Sequence, residues 1–159
     1  MDTSLARLLS CMQRELDLVR EFIGVLKAEE AALMDLGNGA ALSDSTASKN
    51  LCADKLAAIG AERGKLLASL GYSADKAGLD AAARKHPALQ AVWGELYSKA
   101  QQASELNAAN GVMIDTFLAH NQQAMAALKA MAGIGDLYDA SGRSKPVGAA
   151  GQKRAIRAG

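Results

Sequence analysis

The stretch that decides the fold is PALQAVWGELYSKAQQASELNAANGVMIDTFLAHNQQAMAALKAM, residues 87–131. After Pro87 it holds no proline, and it reads as one uninterrupted helix. At ~1.5 Å per residue its length is roughly 65 Å, well beyond an ordinary globular helix. Steps of three and four residues pick out Leu89, Val92, Leu96, Lys99, Ala103, Leu106, Asn110, Met113, Phe117, His120, Ala124, Ala127 and Met131. This is a 3.5-residue seam, mostly apolar, with Asn110 in its middle. So long a stripe must be covered by other parts of the chain or by a second molecule.

Composition points to where that cover comes from. Half of the 159 residues are hydrophobic but only 4% are aromatic. An alanine- and leucine-rich chain of this kind favours long helices with narrow interfaces, and no strands are expected. The first covering helix starts at Asp2 or Thr3, where a side-chain oxygen can cap the first turn. Its seam is Leu5, Leu9, Met12, Leu16, Val19, Ile23, Leu26, Glu30 and Leu33, and Gly37-Asn38-Gly39 ends it. The second starts within Ser43-Asp44-Ser45-Thr46 and runs to Leu70, with Gly71 closing it. Cys52, Leu56, Ile59, Leu66 and Leu70 form its seam, which Arg63 interrupts. Beside them Ala53, Ala57, Gly60, Gly64 and Ala68 make a strip of small residues, readable as a close helix crossing or as a shallow docking groove. Tyr72 to His86 is a connector with a helical turn or two in Leu79–Arg84, and His86-Pro87 marks the next helix start. The predicted fold is all-α: an elongated antiparallel three-helix bundle or coiled coil, residues 1–139, followed by a flexible or partly helical tail, residues 140–159.

The net charge of +1 is unevenly spread. Residues 1–139 balance to −4, whereas Arg143, Lys145, Lys153, Arg154 and Arg157 make the glycine-rich tail +5. Three readings of the tail stay open: a solvated terminus, a strap for an acidic partner, or a weak nucleic-acid contact. Five basic charges without interleaved aromatics favour nucleic acid least. No secretory signal and no membrane-length apolar run is visible, and Cys11 and Cys52 lack metal or redox spacing. A cytoplasmic protein with reduced thiols is expected.

Signatures of catalysis are absent from the sequence. Gly148-Ala-Ala-Gly151-Gln-Lys153 has the wrong spacing for a phosphate loop, and neither Glu95 nor Glu105 is followed by histidine three residues on, as a di-iron bundle requires. His120 stands on the seam without a second ligand one turn away, and reads as packed or half-exposed. We expect no enzyme, no cofactor and no metal. Asn110 has two readings: a buried amide that sets helix register against a polar partner, or, with Asn107 and Asn121, part of an amide strip offered to another protein.

Leu26-Lys-Ala-Glu-Glu-Ala-Ala-Leu33, Lys55-Leu-Ala-Ala-Ile59, Arg63-Gly-Lys-Leu-Leu67, Leu70-Gly71 and Trp93 occur in that order. After them come Asn107-x-x-Asn110-Gly111-x-x-Ile114 and Leu137-Tyr138-Asp139-x-x-Gly142. This pattern resembles the FlgN-type flagellar export chaperones over nearly the whole chain. The resemblance implies a chaperone that binds hook-associated (hook–filament junction) proteins through their C-terminal helical segments and prevents their premature assembly. It also implies delivery to the flagellar type III export apparatus, with Tyr138 matching a tyrosine that docks on the export gate. The candidate partner-binding residues are Met125, Leu128, Met131, Ile134, Leu137 and Tyr138, an apolar end made adaptable by methionine. Neither nucleic-acid binding nor membrane insertion is expected. The alternative is a structural coiled-coil adaptor that forms a homodimer through its seams.

Overall fold

Asp2 opens the first helix, its carboxylate accepting from the amides of Ser4 (3.0 Å) and Leu5 (3.3 Å). The computed structural model describes residues 2–35 and 39–132, and all regular structure among them is helical. Helix α1 spans Thr3–Met34, α2 Gly39–Ser69, α3 Lys76–Lys85 and α4 Gln90–Ala132, with a 3-10 turn at Pro87–Leu89 between the last two. The chain divides into two units, Met1–Val112 and Met113–Gly159.

Two predicted boundaries shift for local reasons. Helix α2 begins at Gly39, not in the serine-rich stretch. The hydroxyls of Ser45 and Thr46 donate to the carbonyls of Ala41 and Leu42, four residues earlier, so they sit inside the helix and cap nothing. The connector holds a full ten-residue helix, α3, rather than a turn or two. Asp75 caps it, accepting from the Gly78 amide (3.0 Å) and the Ser73 hydroxyl (2.6 Å). Gly78 is required there, since a Cβ would stand 1.7 Å from the Ser73 carbonyl oxygen. The predicted stop at Gly71 holds: φ is +86°. The Tyr72 and Gly71 amides return to the carbonyls of Leu67 and Ala68, the paired closure that a left-handed glycine allows.

Within Met1–Val112 the side-chain pairings set helix directions. Along α1, Glu15 meets Arg63, Glu21 meets Cys52 and Glu29 meets Lys49, so α2 runs antiparallel to α1. Arg20 pairs with Glu95 and Leu26 with Asn110, so α4 runs parallel to α1. Leu8, Met12, Leu26, Leu67 and Leu89 are fully buried, joined in one core by Leu5, Leu16, Val19, Ile23, Leu79, Val92, Leu96 and Ala103. Each large aliphatic side chain contributes about 1.5–3 kcal/mol through burial. At the far end of α1 the seam differs by one position: Glu29 is buried, where the spacing had placed Glu30. The small-residue strip is not a tight crossing. Ala53, Ala57 and Ala68 are exposed, and only Gly64 lies near another segment, at Ala74.

Candidate partner-binding surface

The last side chain of α4 to be buried is Asn110, with no exposed area. Its amide nitrogen donates to the Leu26 carbonyl and to Glu29 Oε1, both at 2.9 Å. Glu29 is itself 1% exposed and accepts from Lys49 Nζ at 3.2 Å. A chain of three polar residues thus crosses α2, α1 and α4 inside an apolar surround. The NH₂ is satisfied this way while Oδ1 is buried without a hydrogen-bond partner, and the two donated bonds pin the register of α4. That selects the register reading for Asn110. Asn107 and Asn121, by contrast, are exposed. Arg63, which interrupted the α2 seam, forms an ion pair with the buried Glu15.

Beyond Asn110 no described side chain of α4 is buried. Met113, Ile114 and Phe117 are half-buried, whereas Val112, Leu118, Met125, Leu128 and Met131 are exposed. Of the six expected contact residues, Met125 (46% exposed), Leu128 (52%) and Met131 (84%) stand open on this helix. Ile134, Leu137 and Tyr138 lie outside the described residues, as does the basic tail. His120 is exposed rather than packed.

The heptad spacing missed Ile114, Leu118 and Val112. A straight helix drifts about 20° per heptad from a 3.5 repeat, so a seam extended from the packed half lands on His120, Ala124 and Ala127. The large apolar residues after Val112 stand at 113, 114, 117, 118, 125, 128 and 131, of which the seam takes only 113, 117 and 131. From residue 113 to 132 the only fixed charges are Asp115 and Lys129. This surface therefore carries apolar area and amides with few charges.

Burial pushes the Cys11 thiol above its ordinary value, and its Sγ donates to the Ile59 carbonyl (3.7 Å). Cys52 is likewise raised, by burial and then by its hydrogen bond to Glu21. Both thiols stay protonated and poorly nucleophilic at neutral pH. Among the described residues no cluster of histidine, cysteine and acid could hold a metal ion. No described helix is long and apolar enough to cross a membrane.

Against known families, the model of the FlgN protein family matches residues 1–146. The match takes in α1 to α4 together with Ile134, Leu137 and Tyr138. No curated protein and no solved structure matches the chain.

Proposed function

This chain belongs to the FlgN family, flagellar export chaperones rather than enzymes, and from that premise we propose that it binds hook-associated proteins in the cytoplasm. The binding surface is the apolar face of α4 beyond Asn110, with Met125, Leu128 and Met131, and Ile134, Leu137 and Tyr138 are assigned to the same partner contact. The observation that carries this reading is the run of exposed large apolar side chains on one helix, in a segment of 20 residues with two fixed charges.

A chaperone of this kind needs no catalytic group. It needs an apolar stripe that matches the amphipathic C-terminal helix of its partner and hides it until export. Exposed methionines suit more than one such helix, because the unbranched thioether repacks easily. The bundle formed by α1, α2 and the first half of α4 serves as a rigid base, and Tyr138 is the contact for the export gate. The competing reading, a coiled-coil adaptor that dimerises through the same face, rests on the same exposed residues.

Co-expression of the full chain with each hook-associated protein of the same genome tests the proposal. A stable heterodimer in size-exclusion chromatography with light scattering is the expected result. A tight homodimer that ignores both partners would establish the adaptor instead. Tyr138→Ala is expected to weaken binding to the export gate and leave the partner complex intact.

A further inference from the structure

A recess lies within Met1–Val112. It has a volume of about 240 Å³ and is framed by Trp93 and Tyr97 of α4, Lys76 of α3, and the Glu15–Arg63 pair of α1 and α2. Its floor is Val19, Leu79 and Leu96. Polar groups on its rim are already engaged. Trp93 Nε1 donates to Asp80 at 2.8 Å, Lys76 Nζ donates to Asp80 at 2.9 Å and sits 5.0 Å from the Tyr97 ring centre, and the Tyr97 hydroxyl accepts from Gln101 at 3.0 Å.

The ion pair is the exception. Glu15 and Arg63 are joined through one oxygen and one terminal nitrogen, which leaves Glu15 Oε1 and Arg63 Nε buried with no hydrogen-bond partner. The Glu15 side chain is only 9% exposed. A buried acceptor and a buried donor on the two members of one ion pair each carry a desolvation cost that a suitable group could relieve. A charged ligand does not suit. An anion would face Glu15, and a cation would face Arg63 and Lys76. A primary carboxamide does suit, since its NH₂ donates, its carbonyl accepts, and it carries no charge.

We propose that this recess receives the carboxamide of a glutamine or asparagine side chain from a partner protein, with the NH₂ on Glu15 Oε1 and the carbonyl on Arg63 Nε. The Trp, Tyr and Arg around an apolar floor are the residue types that dominate binding energy at protein interfaces, which favours a protein-borne amide. Entry requires a turn of the Arg63 guanidinium, whose side chain is 22% exposed and borders the recess. The inference does not depend on what binds the exposed face of α4.

Trp93 is the only tryptophan in the chain, so its emission reports on the recess directly. The full-length protein is titrated with N-acetyl-L-glutamine methylamide, and in parallel with the glutamate and norleucine analogues and with free L-glutamine. The expected result is a saturable change for the glutamine amide, with the other three about tenfold weaker or more. An Arg63→Lys variant, which keeps the charge on Glu15 but removes Nε, is expected to abolish the preference. So is the double variant Glu15→Met with Arg63→Leu, which leaves no unpaired charge behind. Circular dichroism verifies that each variant is folded. Absence of a saturable response, an equal response to all three capped probes, or a preference kept by Arg63→Lys would overturn the proposal. Tighter binding of free L-glutamine would overturn the assignment to a partner protein.

Discussion

The two halves of α4 have similar apolar content and different fates. From Gln90 to Asn110 the helix buries Val92, Leu96, Ala103 and Asn110, while from Met113 to Met131 no side chain is more than half-buried. Helix propensity cannot explain this, because alanine, leucine and glutamine fill both halves. The partner explains it. Glu29 bonds Asn110, and α1 ends at Met34, five residues later, while α4 continues for 22 residues past Asn110. Among the described residues, the large apolar side chains of α4 beyond Asn110 are half-buried or exposed, and the proposed function assigns the client to that face.

If this contrast is right, truncation should separate the halves sharply. Leu8→Ala or Leu26→Ala, both fully buried, is expected to lower unfolding stability by about 2–5 kcal/mol in urea titration. Leu128→Ala and Met131→Ala should stay within about 0.5 kcal/mol of the parent and affect client binding instead. Equal losses in both sets would erase the distinction. Next in size is the pin between the halves. Glu29→Ala leaves the Asn110 amide with the Leu26 carbonyl alone and removes the partner of Lys49, and should cost about 1–3 kcal/mol. Gly78→Ala probes the α3 connector, with a loss of about 1–3 kcal/mol as the Ser73 turn is forced aside.

The smallest expected effect is that of acid. The Arg14 guanidinium holds Glu62 below the ordinary carboxylate range. The Ser73 hydroxyl and the Gly78 amide do the same for Asp75, and Lys76 and the Trp93 indole for Asp80. A depressed carboxylate stabilises the folded state above its ordinary value and loses that contribution as pH falls through the folded one. Thermal stability should therefore decline below about pH 4, modestly because Glu62 and Asp75 are exposed and Asp80 is only half-buried. Asp80→Asn should shallow that decline.

Much of this was legible in the residues. The helical class, the Asp2 cap, the Gly71 stop and the alternation of Leu5, Met12, Leu16, Val19 and Ile23 followed from capping chemistry and periodicity. Asn110 was recognisable as a polar break in an apolar seam. Its partner was not, because the pairing with Glu29 depends on a tertiary register that spacing alone set one residue off, at Glu30. Ser45 and Thr46 misled because their hydroxyls cap a helix or bond back within one equally well, and the backbone decides. Ile114 and Leu118 went unmarked because the 3.5-residue repeat takes their neighbours Met113 and Phe117 and passes them by. The Glu15–Arg63 recess left no sequence signal, since its two halves lie 48 residues apart on different helices.

Hydrogen–deuterium exchange on the full-length chain, alone and in complex with a co-purified hook-associated protein, tests the central claim most directly. The account predicts that protection gained on binding concentrates in residues 113–132 and leaves residues 3–34 and 39–69 unchanged. Protection gained on α1 and α2, with residues 113–132 exchanging as they do in the free chain, would contradict it.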